Sequence, residues 1–255
     1  MTDDPAQNDS AAHADVGIVC ALPMEIAPFL DRCETLREYE GDRFVFRGGR
    51  YGDIKVAVVE TGTGFAPARR ATQALIDAHS PAWVISAGFS GALRPEMKIG
   101  QIVMADHVCD IHGQEMNVEV NMPANPAGGL YVGRILNTDA IVRTVVEKQR
   151  RAEEHDALAV DMESLAVAQV CRDTHTPYLA VRVISDDMSA DLPPEILSIL
   201  GSTGTYRVGA AMGAVWKRPA AVKDLWKLRE SAHLAAERLA IFLDGVVAQL
   251  YETRH

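Results

Sequence analysis

The chain is poor in cysteine and histidine clusters, carries no basic excess and has no long apolar run, and each shortage removes a class of function. Its four cysteines, Cys20, Cys33, Cys109 and Cys171, are scattered without a CxxC spacing, which argues against a thiolate metal site or a disulfide framework. Three of them lie in or beside apolar runs and read as reduced core residues. His107 and His112 stand five apart, one residue off the helical i, i+4 ligand spacing, and no HExxH occurs, so no metal is expected. A formal net charge of −10 leaves no overall basic field for nucleic acid. No apolar stretch reaches the roughly eighteen residues of a membrane span. The opening MTDDPAQNDSAAHAD is polar and acidic, without the basic start and apolar centre of a signal peptide. These features predict a cytoplasmic protein with a disordered tail over residues 1–15 and one domain over 16–255, because no linker-like break or internal repeat interrupts the rest.

With 48% hydrophobic and 24% charged residues, the composition is that of an ordinary globular protein. Hydrophobic period predicts strands at 16–22, 43–47, 54–60, 83–87, 102–108 and 130–132, and helices at 24–33, 65–78 and 139–154. The stretch 117–129 reads as a loop, and Thr61-Gly62-Thr63-Gly64 and Gly88-Phe89-Ser90-Gly91 read as glycine-rich turns that let backbone approach a ligand. Pro219 can open a long C-terminal helix reaching Tyr251, with Val222, Leu225, Leu228, Leu239, Phe242, Val246 and Leu250 as its core stripe. Buried strands alternating with helices predict an α/β domain with a central mixed, largely parallel sheet flanked by helices.

The most informative stretch is ALAVDMESLAVAQVCRDTHTPYLAVRVISDD, residues 157–187. Two apolar strand runs each stop at polar residues: Asp161-Met162-Glu163 after the first, Ser185-Asp186-Asp187 after the second. Such carboxylates are expected at the carboxyl edge of a parallel sheet, where α/β enzymes place their sites. Asp161 can equally be a helix N-cap. Arg182, inside the second run, needs a partner if buried. Together with Glu25 after the first strand, Glu163 and Asp186 give three carboxylates at strand ends, suited to acid–base work on a polar small molecule.

On the segments GIVCALPMEI, VVETGTGFAPARRAT, VISAGFSGALRPEMKIGQIVMAD and the AVDMES and VRVISDD pair, the chain resembles the nucleoside phosphorylase and nucleosidase family, most of all its 5′-methylthioadenosine/S-adenosylhomocysteine nucleosidase branch. The resemblance covers roughly residues 16–190. It implies cleavage of the N-glycosidic bond of an adenine nucleoside carrying a 5′ substituent, without a cofactor. It puts Glu25 at the attacking water with Arg182 nearby, Met162 and Glu163 at the ribose, and Asp186 at purine N7 as the proton donor, supported by Ser185. That role asks for an Asp186 kept protonated by burial or by Asp187. Gly88 and Phe89 stand where the 5′ and water contacts fall, Phe89 in place of a small hydroxylic residue. Leu136 stands near a position that often holds an aromatic stacked on the base.

The arginine that the resemblance would place just before Gly88 in a phosphate-using phosphorylase is absent, which implies water rather than phosphate as nucleophile, although Arg69 or Arg70 beside the TGTG turn can bind an anion. Phosphorolysis, or a catalytically silent nucleoside-binding module, is the alternative. The GRILNTDAIVRTVVEKQR segment and the Arg- and Trp-bearing end also resemble hopanoid-associated phosphorylase-like proteins, linked to removing adenine from an adenosyl-lipid. Relatives complete their pockets with a neighbouring subunit, so the resemblance implies a homodimer or higher oligomer. Finally, Tyr206 to Arg229 gathers Arg207, Lys217, Arg218, Lys223, Lys227 and Arg229 around Trp216 and Trp226, a pattern that predicts either weak membrane-surface contact or a solvated basic face with both tryptophans in the core.

Overall fold

A computed structural model describes residues 13–197 and 221–253. The first strand, β1 (Val16–Cys20), is buried along its whole length, as a continuous apolar run with no polar alternation requires. Packing begins just ahead of it: Ala14 is buried, and its N–H donates to the His79 carbonyl at 2.9 Å. The expected tail falls, for residues 1–12, outside the described residues. After β1 follow α1 (Pro23–Leu30), β2 (Glu34–Gly41), β3 (Phe44–Tyr51), β4 (Ile54–Glu60), α2 (Phe65–His79) and β5 (Trp83–Ala92). Then come β6 (Ile102–Asp110), β7 (Glu115–Asn117), β8 (Leu130–Asn137), α3 (Val145–His155), β9 (Ala159–Asp161), α4 (Ser164–Asp173), β10 (Tyr178–Asp186) and the long α5 (Ala221–Glu252).

The sheet is mixed and closes on itself. β5 runs parallel to β10, β10 antiparallel to β6, β6 parallel to β8, β8 parallel to β9, and β9 returns antiparallel to the end of β5. These five strands form a ring, so the expected mixed sheet flanked by helices is present, but it is closed on itself and as much antiparallel as parallel. Sequence period cannot show closure, because a strand in a ring and one in an open sheet bury the same residues. β1 joins β5 in parallel, β4 joins β1 in parallel, and β3 and β2 continue antiparallel to the edge. β2, which hydrophobic period does not reveal, has the sequence ETLREYEG and is exposed at nearly every position, as suits a charged edge strand.

Helices cover both faces. Ile26, Phe29 and Leu30 of α1 pack with Leu239, Leu243, Val246 and Leu250 of α5. On the other side Ala68, Ala71 and Leu75 of α2 meet Ala166, Val167 and Cys171 of α4. Of the expected stripe α5 buries Leu239, Val246 and Leu250, leaves Leu228 and Phe242 half-buried, and the side chains of Val222 and Leu225 lie outside the described residues; it also buries Ala235, Ala236 and Ala240 at 2% exposure or less. Among the described residues no helix is long and apolar enough to cross a membrane.

The main departure in local structure concerns Gly88 to Gly91. It is not a turn but the continuation of β5, hydrogen-bonded to β10 through Arg182, Val183, Ile184 and Asp186. On its other side β5 pairs with β1 only up to Ser86 and with β9 only from Gly91. Between those limits Ala87 to Ser90 has ladder partners on β10 alone, so two neighbouring strands diverge there and leave a crevice at the carboxyl ends of β1 and β5.

Candidate active site

Glu25 fills the mouth of that crevice. Pro23 starts α1, tolerated there because the first turn has no partner for its missing N–H. Glu25, in the third helical position, turns back so that Oε2 accepts from the N–H groups of Leu22 at 2.8 Å and Ala21 at 2.9 Å. Its Oε1 accepts from the Phe89 N–H at 2.9 Å, a donor on the stretch of β5 that pairs with β10 alone. A Cβ at position 88 would lie 2.9 Å from Glu25 Oε1, so a larger residue there would displace the carboxylate. Burial raises the Glu25 carboxyl above the ordinary carboxylate range, against the pull of its three backbone N–H groups and of Arg182.

Glu163 is the N-cap residue of α4 and is buried. Its Oε1 accepts from the Gly64 N–H at 2.7 Å, which joins the TGTG turn to the second carboxylate cluster. Gly64 has φ 105°, a conformation open to glycine. Burial first, and the neighbouring Asp161 next, push the Glu163 carboxyl up to about 8. Met162 beside it is half-buried.

Asp161 stands two residues ahead of the N-cap Glu163 rather than at the N-cap itself. Oδ2 caps α4 by accepting from Ser164 N–H at 3.1 Å and also takes Arg182 Nε at 2.6 Å, while Oδ1 accepts from Asn137 Nδ2 at 3.2 Å. Arg182, 2% exposed, also donates to Ser86 Oγ at 2.8 Å. With a further bond from its guanidinium to the Val181 carbonyl at 3.2 Å, its direct bonds go to Asp161, Ser86 and Val181, and it acts on Glu25 through space. Burial works against its charge, but Asp161 and Glu163 outweigh it and raise its proton affinity.

Asp186 ends β10 at the far side of the crevice, and its surroundings differ from those expected. The sequence suggests a carboxyl kept protonated by burial or by Asp187. Instead Asp186 Oδ2 forms an ion pair with Lys148 of α3. Oδ1 accepts from Ser185 Oγ at 2.9 Å, and that hydroxyl also lies 3.3 Å from the Ser90 carbonyl. Asp187 turns to Ser189, whose N–H it accepts at 2.9 Å. Although burial alone would raise the Asp187 carboxyl, Ser189, Lys98 and Lys148 together lower it. A Cβ at Gly91 would stand 3.0 Å from Asp186 Oδ2, so the two glycines leave room for a carboxylate at each end of the β5 segment.

The structure thus brings Glu25, Gly88, Phe89, Glu163, Arg182, Ser185 and Asp186 to one edge of the sheet. Leu136 is corrected: it is fully buried, packed among Leu93, Cys109, Val142, Ala152, Ala157 and Val160, and offers no surface to a base. Sequence reasoning misses Lys148, because α3 reads as a charged, solvated helix.

In the basic stretch at 206–229, residues 206–220, Trp216 included, lie outside the described residues. Trp226 is 60% exposed, donates its indole N–H to Glu230 at 2.9 Å, and has the Arg229 guanidinium 5.9 Å from its ring centre; the expectation of a core tryptophan does not hold for it.

Comparison with known proteins agrees with this architecture. The family model described as "Phosphorylase superfamily" matches residues 15–199. A 5′-methylthioadenosine/S-adenosylhomocysteine nucleosidase of a Marinomonas species is 29% identical over 203 residues, covering 70% of this chain and 88% of the relative. One from Staphylococcus haemolyticus is 24% identical over 195 residues, covering 67% and 86%. Among solved structures, a Helicobacter pylori 5′-methylthioadenosine/S-adenosyl homocysteine nucleosidase superposes with a TM-score of 0.70 at 19% identity, covering 93% of this chain and 99% of that one. The futalosine hydrolase of the same organism gives 0.68 at 19% identity, covering 92% and 97%. The family match runs from β1 through β10 and takes in every residue of the crevice, so the chain belongs to the phosphorylase superfamily.

Proposed function

We propose that the protein cleaves the N-glycosidic bond of an adenine nucleoside carrying a 5′ substituent, uses water as nucleophile and releases free adenine. The observation that carries this reading is the arrangement along β5. Glu25 lies against Gly88 and Asp186 against Gly91, so one carboxylate stands at each end of the short β5 segment between the β1 and β9 pairings. The C1′–N9 bond breaks with its electron pair passing to the purine. The water oxygen closes on C1′ and its proton passes to Glu25, while the departing base takes a solvent-derived proton at N7, relayed by Asp186. Glu163, with Met162, takes the ribose hydroxyls, beside a sugar of oxocarbenium character. Arg182 acts through Asp161 and by its field on Glu25.

Hydrolysis is favoured over phosphorolysis by Arg69, which is turned to Gln169 at 2.9 Å and Asp173 at 3.7 Å rather than toward an anion at the TGTG turn. The names of the curated relatives support the adenine nucleoside as substrate class. The test is product identity in phosphate buffer with 5′-substituted adenosines: free sugar and adenine are expected, sugar 1-phosphate as the main product overturns hydrolysis, and no base release at all favours a silent binding module. A homodimer belongs to the same proposal and predicts twice the chain mass in solution. Weak contact with an anionic membrane surface is supported by the exposure of Trp226 and predicts low-salt sedimentation with anionic vesicles; equal recovery with and without vesicles removes it.

A further inference from the structure

Helix α5 turns one stripe away from the core. Leu234, Arg238, Ile241, Gly245 and Gln249 recur at intervals of three or four, the spacing of a single helix face. That stripe is one wall of a groove of about 620 Å³, and Ile99, Ile102 and Met122 stand on the other. The volume falls within the range of about 300–1,000 Å³ common to small-molecule sites. None of the crevice carboxylates lines it. The wall opposite α5 is held by strands: Gly100 N–H donates to the Ile184 carbonyl at 2.8 Å, Ile184 N–H to the Gln101 carbonyl at 2.9 Å, and Ile102 N–H to the Gly129 carbonyl at 2.8 Å.

Three features of the α5 wall have no use within the described chain. Leu234 and Ile241, two turns apart, are 47% and 55% exposed. Gly245 lies inside the helix, where glycine is unfavourable relative to alanine, yet a Cβ there would meet nothing within 4 Å. Packing therefore does not call for glycine; the groove simply stays open above it. Arg238 is the one charged residue among those lining the groove, and it forms no hydrogen bond or ion pair with another described residue. Its helical neighbours three and four positions away, Leu234, Ala235, Ile241 and Phe242, are apolar. The nearby acids Glu237 and Asp244 turn instead to Arg32.

We propose that this groove is a second binding site, separate from the crevice, for a free aliphatic carboxylate. The carboxylate pairs with the Arg238 guanidinium, and the hydrocarbon body lies over Ile241 and Gly245 toward Gln249, against Ile99, Ile102 and Met122. From Arg238 to Gln249 the helix rises roughly 16 Å, the span of an extended chain of about a dozen carbons. A small polar anion would leave the apolar walls in water, and a neutral hydrocarbon would leave the guanidinium without a partner. An amphiphile with an anionic head satisfies both, through a charge-assisted hydrogen bond and apolar burial. In a chain of net charge −10, a solitary arginine at the groove selects the sign of that head.

The experiment is calorimetric titration of the full chain with decanoate and with decyltrimethylammonium, which have the same tail and opposite heads. Decanoate is expected to bind at least about tenfold more tightly than the cation. Arg238→Gln is expected to remove that preference and Arg238→Glu to reverse it. Gly245→Leu, which puts a side chain into the open groove, is expected to abolish binding of both. Both positions are exposed and lie outside the crevice, so thermal melts of the variants are expected to match the wild type. Equal affinity of the wild type for the two ligands overturns the proposal without any variant. So does a decanoate affinity that is unchanged in Arg238→Gln and in Gly245→Leu, because binding would then lie elsewhere on the chain. Absence of decanoate binding overturns it as well, and a particle mass that falls by half in Gly245→Leu would then assign the groove to a second copy of the chain.

Discussion

At the scale of single residues, the crevice is built from charges whose partners are fixed, so substitutions have consequences beyond the atom removed. Asp186→Asn preserves shape, but it leaves the Lys148 ammonium enclosed without a counter-charge. Breaking a buried pair in this way costs about 3–5 kcal/mol, so a lower Tm is expected together with loss of adenine release; an unchanged melting temperature would show that the pair is not closed in solution. Glu25→Gln is expected to remove most of kcat, since an amide cannot take a proton from water, and it also sets an NH2 group against a backbone N–H that now donates to the carboxylate. Gly88→Ala should reach the same end indirectly, lowering kcat/KM by at least about tenfold by pushing Glu25 off Phe89, an effect of the size seen for misplaced catalytic groups; unaltered steady-state kinetics would contradict it. Glu25, Glu163 and Asp186 are legible in the sequence because an acidic residue where an apolar strand stops is unusual. Lys148 is not, because one lysine among the charges of α3 carries no mark that it points inward.

At the scale of elements, the bond between Gly64 and Glu163 fastens the turn after β4 to the start of α4. Glu163 binds its proton more tightly in the folded chain, with its carboxyl at about 8 against an ordinary 4.5. The folded state therefore holds more protons than the unfolded one between those values, and this contribution to stability is complete below the lower value and fades as pH rises through the upper one. Glu163→Gln keeps an acceptor for Gly64 and loses the titration. Its Tm relative to wild type is expected to rise between pH 5 and pH 8.5, and thermal melts at the two pH values check this; a difference independent of pH would mean that Glu163 is charged in the folded protein throughout. Strands such as β1, β4 and β10 were readable because burial on both faces leaves uninterrupted Val, Ile and Ala. β2 was not, since an edge strand made of ETLREYEG is held by its pairing to β3 and not by burial. Gly88 to Gly91 misleads for a related reason: glycine usually signals a turn, but here it provides the space for the two carboxylates while the backbone stays extended.

At the scale of the whole molecule, alternation of strands and helices announces an α/β protein, and the ring of β5, β10, β6, β8 and β9 does not follow from it, because closure is decided by which strand edges meet. β5 is the strand on which everything converges, shared among β1, β9 and β10. Its amides consequently report on different events. Those of Val84 and Ile85, deep in the sheet, are expected to exchange with deuterium only when the fold opens globally. The amide of Phe89 is guarded by a side chain instead of a strand. Weakening Glu25 should release that one site ahead of its neighbours, a selective acceleration that exchange measured by NMR on Glu25→Gln would resolve. Uniform acceleration along β5 would mean instead that the glutamate secures the strand as a whole. The same N–H that orients the Glu25 carboxylate is thus a built-in gauge of whether that carboxylate is in place, readable with no substrate bound.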